Sequence, residues 1–229
     1  MTSYSEIIRG ARPWQGVLDT SVMADDLVSA GHLLADAAKA GNWPAVISVL
    51  NRERSWLVIN QWRPGGMAWF TPLHQAAWHG APPEVVTELL DRGSLRSLRD
   101  SGGRTAFDVA VERGRIPALR ELLRPPRQPL SGEQIRALDR QLAELIDGRI
   151  HGRVYDGDLR KVLRYPPVEI LHELPGQRVW FPMPAKYGFH IELQRGTLEV
   201  KSWCGLVEGS GQVHLVTSEG SVLVDQGFV

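Results

Sequence analysis

The chain has 229 residues, with 26 Lys plus Arg against 26 Asp plus Glu and no net charge at pH 7. That length holds one large domain or two modest ones with real cores. The charge balance recurs in both halves and excludes the clustered positive field that nucleic acid or an anionic membrane surface requires. The single cysteine, Cys204, rules out an intrachain disulfide and a cysteine zinc site and fits a reducing compartment.

The opening residues, Met1 to Arg9, lack a basic stretch followed by an apolar run, so no secretory signal is expected. No apolar run approaches the roughly 20 residues of a membrane helix. A soluble, cytoplasmic, monomeric protein is expected, with no membrane or nucleic-acid partner. Residues 1–29 are expected to form an N-terminal cap. Within it, Asp19 to Ala30 read as helical, with Asp19-Thr20-Ser21 supplying capping oxygens.

Next comes Leu34-Ala35-Asp36-Ala37-Ala38-Lys39-Ala40-Gly41, followed by Val46, Ile47 and Leu50. A long connection, Asn51 to Phe70, carries Trp56, Trp62 and Trp69 and the turn Pro64-Gly65-Gly66. Then Thr71-Pro72-Leu73-His74-Gln75-Ala76-Ala77-Trp78-His79-Gly80 leads into Val85, Val86, Leu89, Leu90 and Gly93. The order is helix, turn, helix, glycine stop. Thr71 can cap the first helix, and Pro72 fits its first turn, where a missing N–H costs nothing. Ala76 and Ala77 are small enough for close helix packing, and Gly80 and Gly93 permit a positive φ. Thr105-Ala106-Phe107-Asp108-Val109-Ala110 repeats the frame 34 positions after Thr71, and Gly114, Leu119, Leu122 and Leu123 complete it.

These runs resemble ankyrin repeats, whose units open TPLHxA and span about 33 residues. The resemblance implies three repeats over residues 30–125. It implies that His74 hydrogen-bonds between neighbouring repeats. It also implies that the stack holds a protein partner on its concave and finger face rather than doing chemistry.

After Pro129 the character changes. Ser131-Gly132-Glu133-Gln134 reads as a capping box, and Ile135, Leu138, Leu142 and Leu145 follow helical spacing to about Asp147. Short helices are expected over 158–164 and 168–174. From Arg178 the period turns to two. Phe189 to Leu193 and Thr197 to Trp203 flank Gln194-Arg195-Gly196, and Val213 to Thr217 and Ser221 to Val224 flank Ser218-Glu219-Gly220. With Val179-Trp180-Phe181 these make about five antiparallel strands. The fold class is therefore an α-helical repeat stack followed by an α+β domain, residues 126–229, with a small antiparallel sheet. Trp180-Phe181-Pro182-Met183-Pro184, Tyr187-Gly188, Ser202-Trp203-Cys204, Gly209-Ser210-Gly211-Gln212 and Gly227-Phe228-Val229 resemble a C-terminal module of bacterial, often actinobacterial, proteins. The chain departs from that pattern at Ala185-Lys186 and at Phe189. No activity follows from this resemblance.

No catalytic, cofactor or metal set assembles from the sequence. Cys204 and His214 are the one thiol and imidazole pair, without an oxyanion donor or orienting group. Asp156-Gly157-Asp158 lacks the rest of a calcium loop. His190 and Glu192 share a strand face but are too few for a metal. The glycine-rich stretch 205–211 opens no helix, and Glu208 would repel phosphate. Tryptophan is the informative class: Trp56, Trp62, Trp69 and Trp78 fall within 23 residues. Trp62, Arg63, Trp69, Trp78 and His79 are the expected partner-binding residues, since tryptophan and arginine anchor interfaces. The function expected is a protein–protein interaction module of regulatory or toxin-neutralising kind, without enzyme activity. The alternative is an enzyme in the C-terminal sheet to which the repeats recruit substrate.

Overall fold

A computed structural model describes residues 10–52, 58–150, 158–183, 187–203 and 211–228. The chain divides into two compact units, Asp19–Arg127, and Met1–Leu18 together with Gln128–Val229.

The first unit contains three helix pairs: α1 (Asp25–Lys39) with α2 (Trp43–Leu50), α3 (Pro72–His79) with α4 (Pro83–Asp91), and α5 (Ala106–Glu112) with α6 (Pro117–Leu123). First helices pack on first helices, α1 on α3 and α3 on α5, and α4 packs on α6. Two of the helices are capped by side chains that the sequence marks. Asn42 Oδ1 accepts from the Ala45 N–H, and Thr105 and Asp108 form a reciprocal capping box. Gly80 ends α3 at φ 69°, the left-handed conformation expected there. Leu73, Ala76, Val86 and Leu89 are all buried in one apolar cluster that runs from Leu34 to Leu123, with Leu90 half-buried against it.

The stretch 19–30, expected to be helical, is helical over Thr20–Val22 and again from Asp25. A single 3-10 turn, Thr20–Val22, precedes α1, which runs unbroken from Asp25 to Lys39. No proline interrupts that stretch, so one helix continues through it. Asp19 does cap its turn, accepting from the Ser21 N–H and hydroxyl at 2.9 and 2.7 Å.

The second unit is built on a six-stranded sheet in the order β1 (Arg12–Pro13), β2 (Arg178–Pro182), β3 (Gly188–Gln194), β4 (Thr197–Trp203), β5 (Gly211–Val216) and β6 (Ser221–Phe228). Strands β2 to β6 form an antiparallel meander, as the period of two predicts. The sixth strand was not expected. Arg12–Pro13 pair in parallel with Val179–Trp180, so the N-terminal segment expected as a repeat cap includes a strand of this sheet. Two residues, one of them proline, carry no alternation that a sequence reading can detect.

Helix α7 (Gly132–Ile150) opens with the expected box, Ser131 N–H to Gln134 Oε1 at 2.9 Å and Gln134 N–H to Ser131 Oγ at 3.2 Å. It runs three residues past Asp147 and packs on β4, β5 and β6. The sheet buries Phe181, Phe189, Ile191, Leu198, Val200 and Val216 on that side. A four-residue helix, α8 (Leu159–Val162), and a 3-10 helix, Val168–Glu173, stand where two short helices were expected.

Candidate functional site

In the first unit the connection before α3 folds back on the first helices. Gly31 of α1 makes room for it: a Cβ there would sit 2.7 Å from Pro64 Cγ, so only glycine lets the Pro64-Gly65-Gly66 turn lie this close. Asn60 ties the other side, donating to Gly93 O at 2.8 Å and accepting from the Leu95 N–H at 2.9 Å. The Ser101 N–H donates to Ala68 O at 3.1 Å, joining this connection to the next.

Between this connection and helices α1 and α3 lies a groove of about 480 Å³. Its walls are Ala35, Ala38 and Lys39 of α1, Gln75, Trp78 and His79 of α3, and residues of the connection from Gln61 through Pro72. The volume falls within the range of about 300–1,000 Å³ typical of ligand clefts.

Four of the five expected contact residues line this groove. Trp78 is 39 % exposed, with Phe70 edge-on at 6.2 Å and the Arg113 guanidinium 4.2 Å over its ring. The His79 Nε2–H donates to Lys39 O at 3.0 Å, and its ring meets Trp43 edge-on at 6.1 Å. Arg63 is held by the Asp36 carboxylate and by His32 Nδ1 at 3.2 Å. Trp69 is half-buried and has φ 53°, the left-handed region. That conformation costs a non-glycine residue on the order of 1 kcal/mol and is kept only where surrounding contacts determine it.

Trp62 differs from the expectation of an exposed anchor. It is only 4 % exposed, with its ring 6.2 Å from that of Trp69. The connection turns inward at Gln61 and Trp62, because leaving a large indole in water forgoes the apolar burial that the cleft between repeats offers. Trp56 lies outside the described residues.

His74 takes the position between repeats that its motif implies. Nδ1 accepts from the Thr71 hydroxyl at 2.8 Å, and Nε2–H donates to Arg104 O at 3.1 Å.

Residues that sequence reasoning missed come from neighbouring repeats. Lys39 and Glu112 occupy the frame position of Trp78, two before the glycine stop, and Arg113 occupies that of His79. Aligning the repeats on Gly41, Gly80 and Gly114 would have found them. Arg115 closes the end of α3, donating to Ala77 O at 3.1 Å and to Trp78 O.

In the second unit several of the residues weighed for chemistry are not among those described. Cys204, Asp156, Gly157 and residues 205–210 lie outside the described residues. Asp158 caps α8, accepting from the Arg160 N–H at 3.0 Å. His214 pairs in register with Val200, and burial, then Arg149, lower its pKa. His190 and Glu192 alternate on β3 as expected. His190 is 2 % exposed, neither ring nitrogen has a hydrogen-bond partner among the described residues, and burial, then Lys201 and Arg178, lower its pKa to about 4. Among the described residues no group of three or more His, Cys, Asp or Glu could hold a metal.

One carboxylate opposes these histidines. Burial, with help from Glu169, raises the Asp139 pKa to about 6, although its Oδ1 accepts from the Val168 N–H at 2.8 Å. The raised Asp139 favours its acid form, so its contribution to stability is full below about pH 4 and is lost as pH rises through 6. The lowered His190 favours its neutral form, so its contribution is full above pH 6.5 and is lost as pH falls through 4. The two oppose one another across the same window. Asp139→Asn is expected to stabilise this unit at pH 7 and to make its loss of stability on acidification steeper. Urea melts at pH 7, 5.5 and 4.5 check this, and an equal offset at all three would refute it.

A family model described as ankyrin repeats (many copies) matches residues 59–110, which cover the connection, α3, α4 and most of α5. No curated protein matches the chain. Residues 59–110 of the helical unit thus match ankyrin repeats, which supports a protein–protein interaction module in general. Among the described residues no helix is long and apolar enough to cross a membrane.

Proposed function

We propose that this protein is a cytoplasmic, monomeric bacterial binding protein that captures a protein partner in the groove between its first helices and the connection before α3. The observation that carries the reading is Trp78, a partly exposed indole held rigid between Phe70 and Arg113 at the groove wall. A rigid aromatic loses little side-chain entropy on binding and suits an anchor. Trp69, Arg63 and His79 complete the contact surface. Trp62 supports the surface from beneath.

The partner is a regulated enzyme or a toxin, and the protein acts by occupying it, with no turnover of its own. The C-terminal resemblance to bacterial modules supports that setting. Neutralisation of a co-expressed toxin encoded beside the gene would check it directly.

Trp78→Ala is expected to weaken partner binding by about 2 kcal/mol, roughly thirtyfold, as hot-spot tryptophans do. Its effect on stability should stay near 1 kcal/mol, the scale of an exposed cation–π contact. Affinity capture from the host with wild-type and Trp78→Ala protein, followed by mass spectrometry and titration of the captured protein, tests both. A partner retained equally by the two proteins would remove the groove from the reading.

A further inference from the structure

The groove has a one-sided charge. Two carboxylates lie near it: Asp36, held by Arg63, and Glu112, which shares the Arg104 guanidinium with Asp100, at 2.9 Å and 2.7 Å respectively. The cations are not matched in the same way. Lys39 lines the groove, is exposed, and has no ion-pair partner among the described residues. Arg113 is exposed and lies over Trp78, again without a carboxylate among the described residues. Arg115 serves backbone carbonyls rather than an acid. The apolar wall of Trp69, Phe70 and Trp78 is thus bordered by Lys39 and Arg113, neither of which is in an ion pair among the described residues.

We infer that the partner presents an acidic segment in which an apolar side chain is flanked by aspartate or glutamate. The inference rests on the groove being the binding site. The apolar side chain fills the groove against Trp69 and Trp78. One neighbouring carboxylate meets Lys39, and another meets the Arg113 guanidinium, which lies over the indole with its Cζ 4.2 Å from the ring centroid and has donors for a carboxylate. A basic segment would bring like charges to Lys39 and Arg113 and would be rejected. A second copy of this chain is disfavoured by the same rule, because its own groove would present the same positive border.

A library of random twelve-residue peptides displayed on phage, panned against the full chain, tests this. Selected peptides are then synthesised and titrated against the wild type, Trp78→Ala and Lys39→Glu at low and high salt, with folding of each variant checked by circular dichroism. The expected result is a set of peptides rich in Asp and Glu beside Trp, Phe or Leu. Their affinity should fall at least tenfold in Lys39→Glu, in Trp78→Ala, and between 50 mM and 500 mM salt. Neutral or basic peptides that need Trp78, or acidic ones indifferent to Lys39→Glu, would overturn the acidic partner and leave the groove standing. Acidic peptides that bind Trp78→Ala equally well would overturn the groove itself. A dimer that blocks Trp78, or a library yielding no peptide, would also overturn the inference.

Discussion

Trp62→Ala is expected to destabilise the helical unit by about 3–5 kcal/mol, the usual loss when a buried tryptophan is truncated. The indole is 4 % exposed and its ring lies 6.2 Å from that of Trp69. Removing it opens a cavity beneath the connection and withdraws support from a residue at φ 53°. The groove would lose its shape as a result, so binding would fall only in step with the folded fraction. Trp62→Phe should recover much of the loss, since a smaller ring refills part of the space. Equilibrium urea melts of both variants, set beside Trp78→Ala, separate the two tryptophans: one carries the fold and the other the contact. A change below about 0.5 kcal/mol for Trp62→Ala, the range of surface substitutions, would return Trp62 to the binding face.

The division between these two indoles shows what could be read from the sequence. The repeat frame marks Leu73, Ala76, Val86 and Leu89 as core because spacing alone decides which helix face they occupy, and all four are buried. It also places His74 between repeats, and its bond to Arg104 O depends only on that frame. Trp62 sits in a connection with no period. Whether its ring turns in or out depends on the Gly31–Pro64 approach and on Asn60, which bonds to residues more than thirty positions away. Such contacts leave no local mark. Arg113 and Lys39 were legible in principle, because they share frame positions with His79 and Trp78. Looking for aromatic residues alone passed over them.

The second unit divides in the same way. Alternation located β2 to β6 and both hairpin turns, and in the first of them Arg195 and Gly196 take φ 51° and 87°. It could not locate β1, because a strand of two residues has no pattern and its partner lies 167 positions away, at Val179 for Arg12. The capping box at Ser131 fixed the start of α7, whereas its end past Asp147 depends on packing against the sheet. The same packing buries Arg149, whose Nε donates to Ser202 Oγ at 2.9 Å.

Trp14→Ala is expected to cost the second unit about 3–5 kcal/mol, although Trp14 lies far in sequence from the helices and strands it supports. Four described hydrogen bonds fasten its segment. The Trp14 N–H donates to Trp180 O at 2.7 Å and its Nε1–H to Arg164 O at 2.6 Å. The Arg164 N–H donates to Gly16 O at 2.7 Å, and the Leu18 N–H to Val162 O at 2.8 Å. The indole itself is buried. Gly16 is the tightest point: a Cβ there would stand 2.1 Å from Arg164 O, a backbone atom that cannot swing aside. Gly16→Ala should therefore displace the segment as effectively as Trp14→Ala, without removing any apolar group. Either change uncovers the edge of β2, and an uncovered edge recruits other strands, so a rise in aggregation should accompany the loss of stability. Hydrogen exchange locates the effect. Amides of β2 and β3 should exchange faster, while those of α3 to α6 keep their protection. If Gly16→Ala left β2 protected and melted like the wild type, the segment would be an accessory strand and not a fastening of the sheet.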